Sequence, residues 1–246
     1  MFNILSWNVL AQDYIDKSYD KYKDYLDFDY RSKKIIYHLK KIDSDIIFLQ
    51  EVDYNFYKLL KTEFKNYYFG KLIKNCWNEC NTHTFNLIIS KYKLKLIKIF
   101  KLNEFNNSQG IFRVKIIDRY YYLVNIHLYD KNNKIRQMEI TKILNKLNNI
   151  NYPIIIGGDF NNNIINNNFK KILDKYNYIN ATQIENITED DFTYQSNDNF
   201  MLIDFFVVKN IDKFKTKNNL RYNNTQKLPI LKYYGSDHLP ILLYIK

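Results

Sequence analysis

The chain has 246 residues, of which 46% are apolar and 17% aromatic, enough to bury a sizeable core in a single domain spanning residues 1–246. A formal charge of +11 suits a polyanionic partner such as nucleic acid, although the abundance of Lys, Asn, Ile, Tyr and Phe is also what an AT-rich coding sequence produces. No apolar run is long enough to span a bilayer and no basic, apolar leader precedes the first motif, so an intracellular, cytoplasmic chain without membrane association is expected.

Phe2 to Val9 reads as a strand with Asn8 at its mouth. Gln12 to Asp29 is rich in Tyr, Asp and Lys without clear period, which predicts a long loop forming part of a substrate rim. From Tyr30 to Lys41 the apolar residues Ile35, Ile36, Leu39 and Ile42 recur at helical spacing, and His38 fits that pattern as a structural residue. Asp45 to Gln50 is a compact apolar run typical of a strand buried on both faces, and it delivers Glu51 at its end. Cys76 and Cys80 lie near His83, but the donor set is incomplete for a closed zinc site and reduced thiols are expected.

Lys91 to Leu102 alternates lysine with Leu, Ile and Phe, a half-buried strand whose lysines form a solvated face that discourages edge pairing. Tyr121 to Ile126 is a further strand, ending at His127, and a helix follows from about Lys134 to Leu147. Pro153 to Ile156 forms a strand that stops at Gly157-Gly158, where the glycines are expected to bend the backbone. Asn161 to Asn168 reads as low-complexity loop in which only Asn161 is assigned a function. Met201 to Val208 and Leu239 to Ile245 are the last clear strands, with Asp204 inside one and Asp237-His238 before the other. This order predicts an α/β fold of two sheets packed face to face and flanked by helices, with the strand ends gathered in one cleft.

The groups at those ends suit phosphoester hydrolysis, which needs an activated water, a cation and donors aimed at developing charge. Glu51 is a hard oxygen ligand fit for magnesium, and Asn8 either orients it or helps hold the metal. Asp237 completes the metal site or positions the water. Asp159 is placed to accept a hydrogen bond from the attacking water, and Asn161 to donate to a phosphate oxygen. His238 is the candidate general base or charge stabiliser, with Asp204 on one of its nitrogens, because an unpartnered carboxylate inside Leu202-Ile203-Asp204-Phe205-Phe206 is costly. His127 is expected to bind the scissile phosphate.

With Ser6-Trp7-Asn8-Val9-Leu10-Ala11-Gln12-Asp13, Phe28-Asp29-Tyr30-Arg31, Asp45 to Asp53 ending in Leu-Gln-Glu-Val-Asp, Gly157-Gly158-Asp159-Phe160-Asn161 and Ser236-Asp237-His238-Leu239-Pro240 in this order, the chain resembles the endonuclease/exonuclease/phosphatase superfamily over its whole length. Within it, the resemblance is to the deadenylase-type branch that includes carbon catabolite repressor deadenylases, nocturnin and Angel proteins. The resemblance implies a four-layer αββα sandwich, a divalent metal (Mg2+, with Mn2+ as alternative) and 3′-to-5′ cleavage of single-stranded RNA, often poly(A). It also implies family roles for Glu51, Asn8, His127, Asp159, Asn161, Asp204, Asp237 and His238, a phosphate contact from Arg136, and base stacking on Phe200, whose spacing to Asp204 is one residue short. Where the family carries an acidic residue before its middle strand, this chain has Asn81-Thr82-His83-Thr84-Phe85, which leaves Glu79 as a weak substitute partner for His127.

Two other readings stand beside the exoribonuclease. One is a phosphatase or phosphodiesterase on RNA ends or small nucleotides, such as 2′,3′-cyclic phosphates, 2′,5′-linked oligoadenylate or NADPH. The other is a non-catalytic RNA-binding module, against which the retention of every metal and phosphate residue argues. No recruitment module is expected beside the catalytic motifs, and recognition of any messenger RNA is then expected to fall to the surface itself.

Overall fold

A computed structural model describes residues 1–75, 84–104, 107–163, 166–182, 192–196, 199–217 and 230–246. In chain order its elements are β1 (Phe2–Asn8), 3-10 segments at Gln12–Tyr14 and Lys17–Tyr25, α1 (Phe28–Ile42), β2 (Ile46–Val52), α2 (Tyr54–Glu63), β3 (Tyr68–Phe69), β4 (Ile73–Lys74), β5 (Phe85–Ser90), β6 (Leu94–Lys101) and β7 (Ser108–Ile116). They continue with β8 (Arg119–His127), α3 (Asn133–Leu147), β9 (Ile154–Asp159), α4 (Asn167–Lys175), β10 (Ile179–Asn180), β11 (Tyr194–Ser196), β12 (Asn199–Met201), β13 (Asp204–Lys209), β14 (Phe214–Lys217), α5 (Ile230–Tyr234) and β15 (Ile241–Ile245). Cys76, Cys80, His83 and Glu79 lie outside the described residues.

The strands form two large mixed sheets, ordered β14-β15-β1-β2-β5-β3, with β4 also on β5, and β10-β13-β9-β8-β7-β6. Each has a parallel pair near its centre, β1 with β2 and β8 with β9, and the remaining pairs are antiparallel. A parallel pair needs a crossover, and α1 and α3 supply it. Both helices begin at an oxygen cap, Asp27 accepting from the Tyr30 amide and Asn132 from those of Lys134 and Ile135.

Alternation along the strands divides the core into three apolar layers. Ile4, Phe48, Ile88, Leu123, Ile155 and Phe206 fill the space between the sheets. Leu5, Leu49 and Leu87 face α1 and α2, whereas Val124, Ile156 and Val207 face α3 and α4. Helix, sheet, sheet, helix is the αββα sandwich. Among the described residues no helix is long and apolar enough to cross a membrane.

Several elements differ from the sequence expectation. Residues 17–25 are wound into a 3-10 segment capped by Asp16, with no buried residue to impose a period. Helix α4 begins inside the asparagine tract, where Asn166 caps it through the amides of Asn168 and Phe169. Helix α2 follows β2 directly, capped by Asp53, and only Phe56 and Leu60 of its apolar stripe are fully buried. The expected strand from Met201 to Val208 is divided, with Met201 ending the β11–β12 hairpin and β13 starting at Asp204.

Candidate active site

The parallel pairs send the C-terminal ends of β1, β2, β8 and β9 to one end of the sandwich, and these ends carry Asn8, Glu51, His127 and Asp159. Strand β13 runs antiparallel to β9 with Asp204 opposite Asp159, and β15 antiparallel to β1, so Asp204 and the Asp237-His238 turn reach the same end. Glu51, His127, Asp159, Asp237 and His238 line a cleft of about 460 Å³ together with Leu10, Tyr14, Asp16, Tyr19, Tyr129, Asp130, Lys131, Asn161, Tyr194 and Ile203, while Asn8 and Asp204 stand behind it, hydrogen-bonded to Glu51 and Asp159 and to His238 respectively.

The Asn8 carboxamide donates to Glu51 Oε1 at 2.8 Å and to Asp159 Oδ2 at 3.1 Å, while its oxygen accepts from the Leu10 amide. Asn8 therefore orients two carboxylates, one from each sheet, and its own oxygen is engaged by the backbone. Glu51 Oε2 accepts from the Ala11 amide at 3.0 Å. Burial pushes the Glu51 carboxyl above the usual carboxylate range.

His238 Nδ1 lies 2.8 Å from Asp204 Oδ2, and its Nε2 lies 3.6 Å from Asp159 Oδ2. The Asp204 backbone amide and that of Ile203 both donate to Thr193 Oγ1, which fixes the start of β13. Burial pulls the His238 pKa down, but Asp204, Asp159 and Asp237 outweigh it and leave the imidazole raised, on the charged side. Asp159 is raised by burial and then by Asp204 beside it. His127 Nε2 stands 3.8 Å from Glu51 Oε1 and 3.7 Å from Asp159 Oδ2, with its pKa lowered by burial.

Asn161 sits at a φ of 47°, its amide donating to Asp159 Oδ1 and its side chain to the Leu128 carbonyl. That left-handed residue makes the turn after the strand, and Gly158, at a φ of 146°, also takes a backbone conformation that a residue with a Cβ rarely adopts. Gly157 and Gly158 lie in regular pairing within β9, where a Cβ would stand 2.3 Å from the Phe206 ring and 1.9 Å from the Ile126 carbonyl oxygen respectively. At both positions neighbouring groups also approach too closely for a side chain.

Arg136 and Phe200 are not brought to the cleft. Arg136 donates to the carbonyls of Tyr129 and Asp130, holding the loop after His127 from helix α3, and its guanidinium is used there. Phe200, 39% exposed on the β11–β12 hairpin, packs on Phe192 with ring centroids 4.6 Å apart.

Two residues with no assigned role in the sequence reading shape the site. Tyr19 donates its hydroxyl to Asp237 Oδ2 at 2.7 Å, reaching over the cleft from the 3-10 segment. Arg31, buried at the start of α1, donates to the carbonyls of Val9, Leu10 and Gly235 and to Gln12 Oε1, tying the exit of β1 to the turn that carries Asp237. Tyrosines crowd residues 14–30, so one more gave no signal, and Arg31 stood out only through its place in Phe28-Asp29-Tyr30-Arg31.

The sequence pattern of the Endonuclease/Exonuclease/phosphatase family matches residues 5–238. No curated protein matches the chain. Among solved structures, that of ANGEL2, a 2′,3′-cyclic phosphatase, in complex with adenosine-2′,3′-vanadate superposes with a TM-score of 0.74 at 14% identity, over 98% of this chain and 94% of that one. A Bacteroides vulgatus endonuclease/exonuclease/phosphatase gives 0.72 at 18% identity over 100% and 99%, and truncated Caenorhabditis elegans TDP2 gives 0.69 at 18% over 98% and 96%.

Proposed function

We propose that this chain, which belongs to the endonuclease/exonuclease/phosphatase family, is a magnesium-dependent 3′-to-5′ exoribonuclease acting on poly(A) or other single-stranded RNA. The observation that carries the hydrolytic part is the convergence of four carboxylates, two imidazoles and two carboxamides at one mouth of the sandwich, with Asp204 hydrogen-bonded to His238. A binding surface gains nothing from burying such a set, because each uncompensated charge is costly out of water.

The donors at Glu51 and Asp237 are all oxygen, the chemistry a hard divalent cation takes, and Lys131 is the single Lys or Arg among the described residues lining the cleft. Glu51 and Asp237 would hold Mg2+, with Mn2+ as the alternative, while Asn8 fixes the angle of the Glu51 carboxylate. When bound, the cation offsets charge on the phosphoryl oxygens. As the water oxygen bonds to phosphorus and the P–O bond to the remaining RNA chain breaks, Asp159, raised by burial and by Asp204, takes the proton of the attacking water, and the departing 3′ oxygen is protonated from solvent. His238, held by Asp204 and kept on the charged side, donates from Nε2 to a phosphoryl oxygen. His127 and the second amide hydrogen of Asn161 complete the phosphate cradle.

Support for RNA comes from the +11 charge, from Tyr14, Tyr19, Tyr129 and Tyr194 as aromatic faces along the cleft, and from the motif surroundings at Ala11-Gln12-Asp13 and Phe28 to Arg31. The likeness to ANGEL2 holding adenosine-2′,3′-vanadate favours a second reading, hydrolysis of 2′,3′-cyclic phosphate ends. The purified chain with Mg2+ is to be given labelled oligo(A), mixed-sequence RNA, single-stranded DNA, 2′,3′-cyclic-phosphate ends and NADPH in parallel. Stepwise loss of nucleotides from the RNA 3′ ends is expected; opening of cyclic ends without shortening would transfer the assignment to the second reading.

A further inference from the structure

Glu51 lies where β2 leaves regular pairing. Leu49 pairs with Leu87 and Val52 with Phe85, so Gln50 and Glu51 together oppose Asn86 alone, and Glu51 adopts a φ of 58°. That is a β-bulge. In unbroken alternation Glu51 would follow Ile47 and Leu49 onto the face covered by α1 and α2, inside an apolar layer. The extra residue gives that face to Val52 and turns the Glu51 carboxylate to the cleft. A left-handed backbone on a residue with a Cβ costs about 1 kcal/mol and leaves strand carbonyls in need of donors.

The donors arrive from the opposite sheet. Asn125 of β8, itself buried, donates from Nδ2 to the Leu49 carbonyl at 2.8 Å and to the Leu87 carbonyl at 2.9 Å, the residue pair at which the bulge begins. Its Oδ1 accepts from Gln50 Nε2 at 2.5 Å, and Gln50 reaches on to Ser6 of β1. The Asn125 backbone carbonyl in turn accepts from Gln109 and Asn86. Asn125 precedes His127 by two positions on β8, so one amide couples the strand that presents Glu51 to the strand that presents His127. Neither Asn125 nor Gln50 lines the cleft.

We infer that Asn125, together with Gln50, is a positioning pair that clamps the bulge of β2 from the facing sheet and so keeps the Glu51 carboxylate in the cleft. The inference rests on Glu51 as a metal ligand. Its consequence is that loss of an amide remote from solvent weakens metal binding without removing a ligand.

The test compares Asn125→Ala and Gln50→Leu with Ile88→Ala, a truncation in the apolar layer between the sheets, where Ile88 pairs with Phe48. Mg2+ affinity is measured calorimetrically on each folded protein, beside urea stability. Asn125→Ala is expected to weaken Mg2+ binding about tenfold, the range for residues that orient a ligand, and Gln50→Leu to shift it the same way by less. Ile88→Ala is expected to lose stability with Mg2+ affinity intact. Wild-type affinity in either amide variant, or an equal loss in Ile88→Ala, would overturn the inference; should Asn125→Ala fail to fold, Gln50→Leu decides. A wild-type chain that binds no Mg2+ contradicts the metal reading of Glu51 first, and the positioning role falls with it.

Discussion

Asp204 and His238 depend on one proton. With Asp204 Oδ2 2.8 Å from His238 Nδ1, the carboxylate holds a hydrogen there and points Nε2 at Asp159. Asp204→Asn keeps the shape and removes the charge, so kcat is expected to fall about a hundredfold or more with KM little changed, read from steady-state kinetics on a protein with an unaltered circular dichroism spectrum. Glu139 offers a test away from the cleft. It accepts from the Tyr129 amide and from Asn103, and burial pushes its carboxyl up from 4.5 to about 7. The protonated form is the one the fold favours, so its contribution to stability is complete below about 4.5 and is lost as pH rises through about 7. Between pH 5 and 8, urea unfolding is expected to show the wild type losing on the order of 3 kcal/mol relative to Glu139→Gln. Asp204 was legible in the sequence because a carboxylate in an apolar strand calls for a partner. Glu139 gave no such signal, since on an exposed helix face the same residue would be unremarkable and only the loop packed over it buries it.

At the scale of elements, the long buried strands were readable as apolar runs, whereas α2, α4 and the 3-10 segment after Asp16 were not. Each of those is short or lightly buried, so its boundaries rest on capping contacts of Asp53, Asn166 and Asp16 rather than on hydrophobic period. The bulge in β2 is invisible for a different reason: it exists through the pairing of Leu49 with Leu87 and Val52 with Phe85, a relation between strands rather than a property of either. The Gly157-Gly158 pair was recognised, but the close approach of the neighbouring strands, which adds to the φ of 146° at Gly158, was not legible. Gly158→Ala drives a Cβ against the Ile126 carbonyl at a φ of 146°, and is expected to destabilise the chain by about 3 kcal/mol or more in urea unfolding. A neutral outcome would mean that β8 and β9 are not so closely apposed.

Across the whole molecule, residues from Asn8 to His238 converge because each sheet carries a parallel pair and the two pairs open to the same end. Charge is distributed otherwise. Among the described residues, the cleft is lined by five carboxylates and one lysine, whereas the lysines of β6 are exposed away from it, so the described excess of positive charge lies outside the cleft. If that surface guides RNA, affinity for long RNA is expected to fall steeply as salt is raised while hydrolysis of a short dinucleotide is little affected; a flat response for both would point to a small substrate. The reaction itself is tested most directly by Glu51→Ala, assayed on oligo(A) across a Mg2+ titration beside the wild type. The wild type is expected to shorten the RNA only when the cation is present, and the variant to be slower by about a thousandfold at saturating RNA. Hydrolysis that persists in Glu51→Ala at the wild-type rate, or that proceeds equally in chelator, would contradict the assignment of this mouth of the sandwich as a metal-assisted phosphoester hydrolase site.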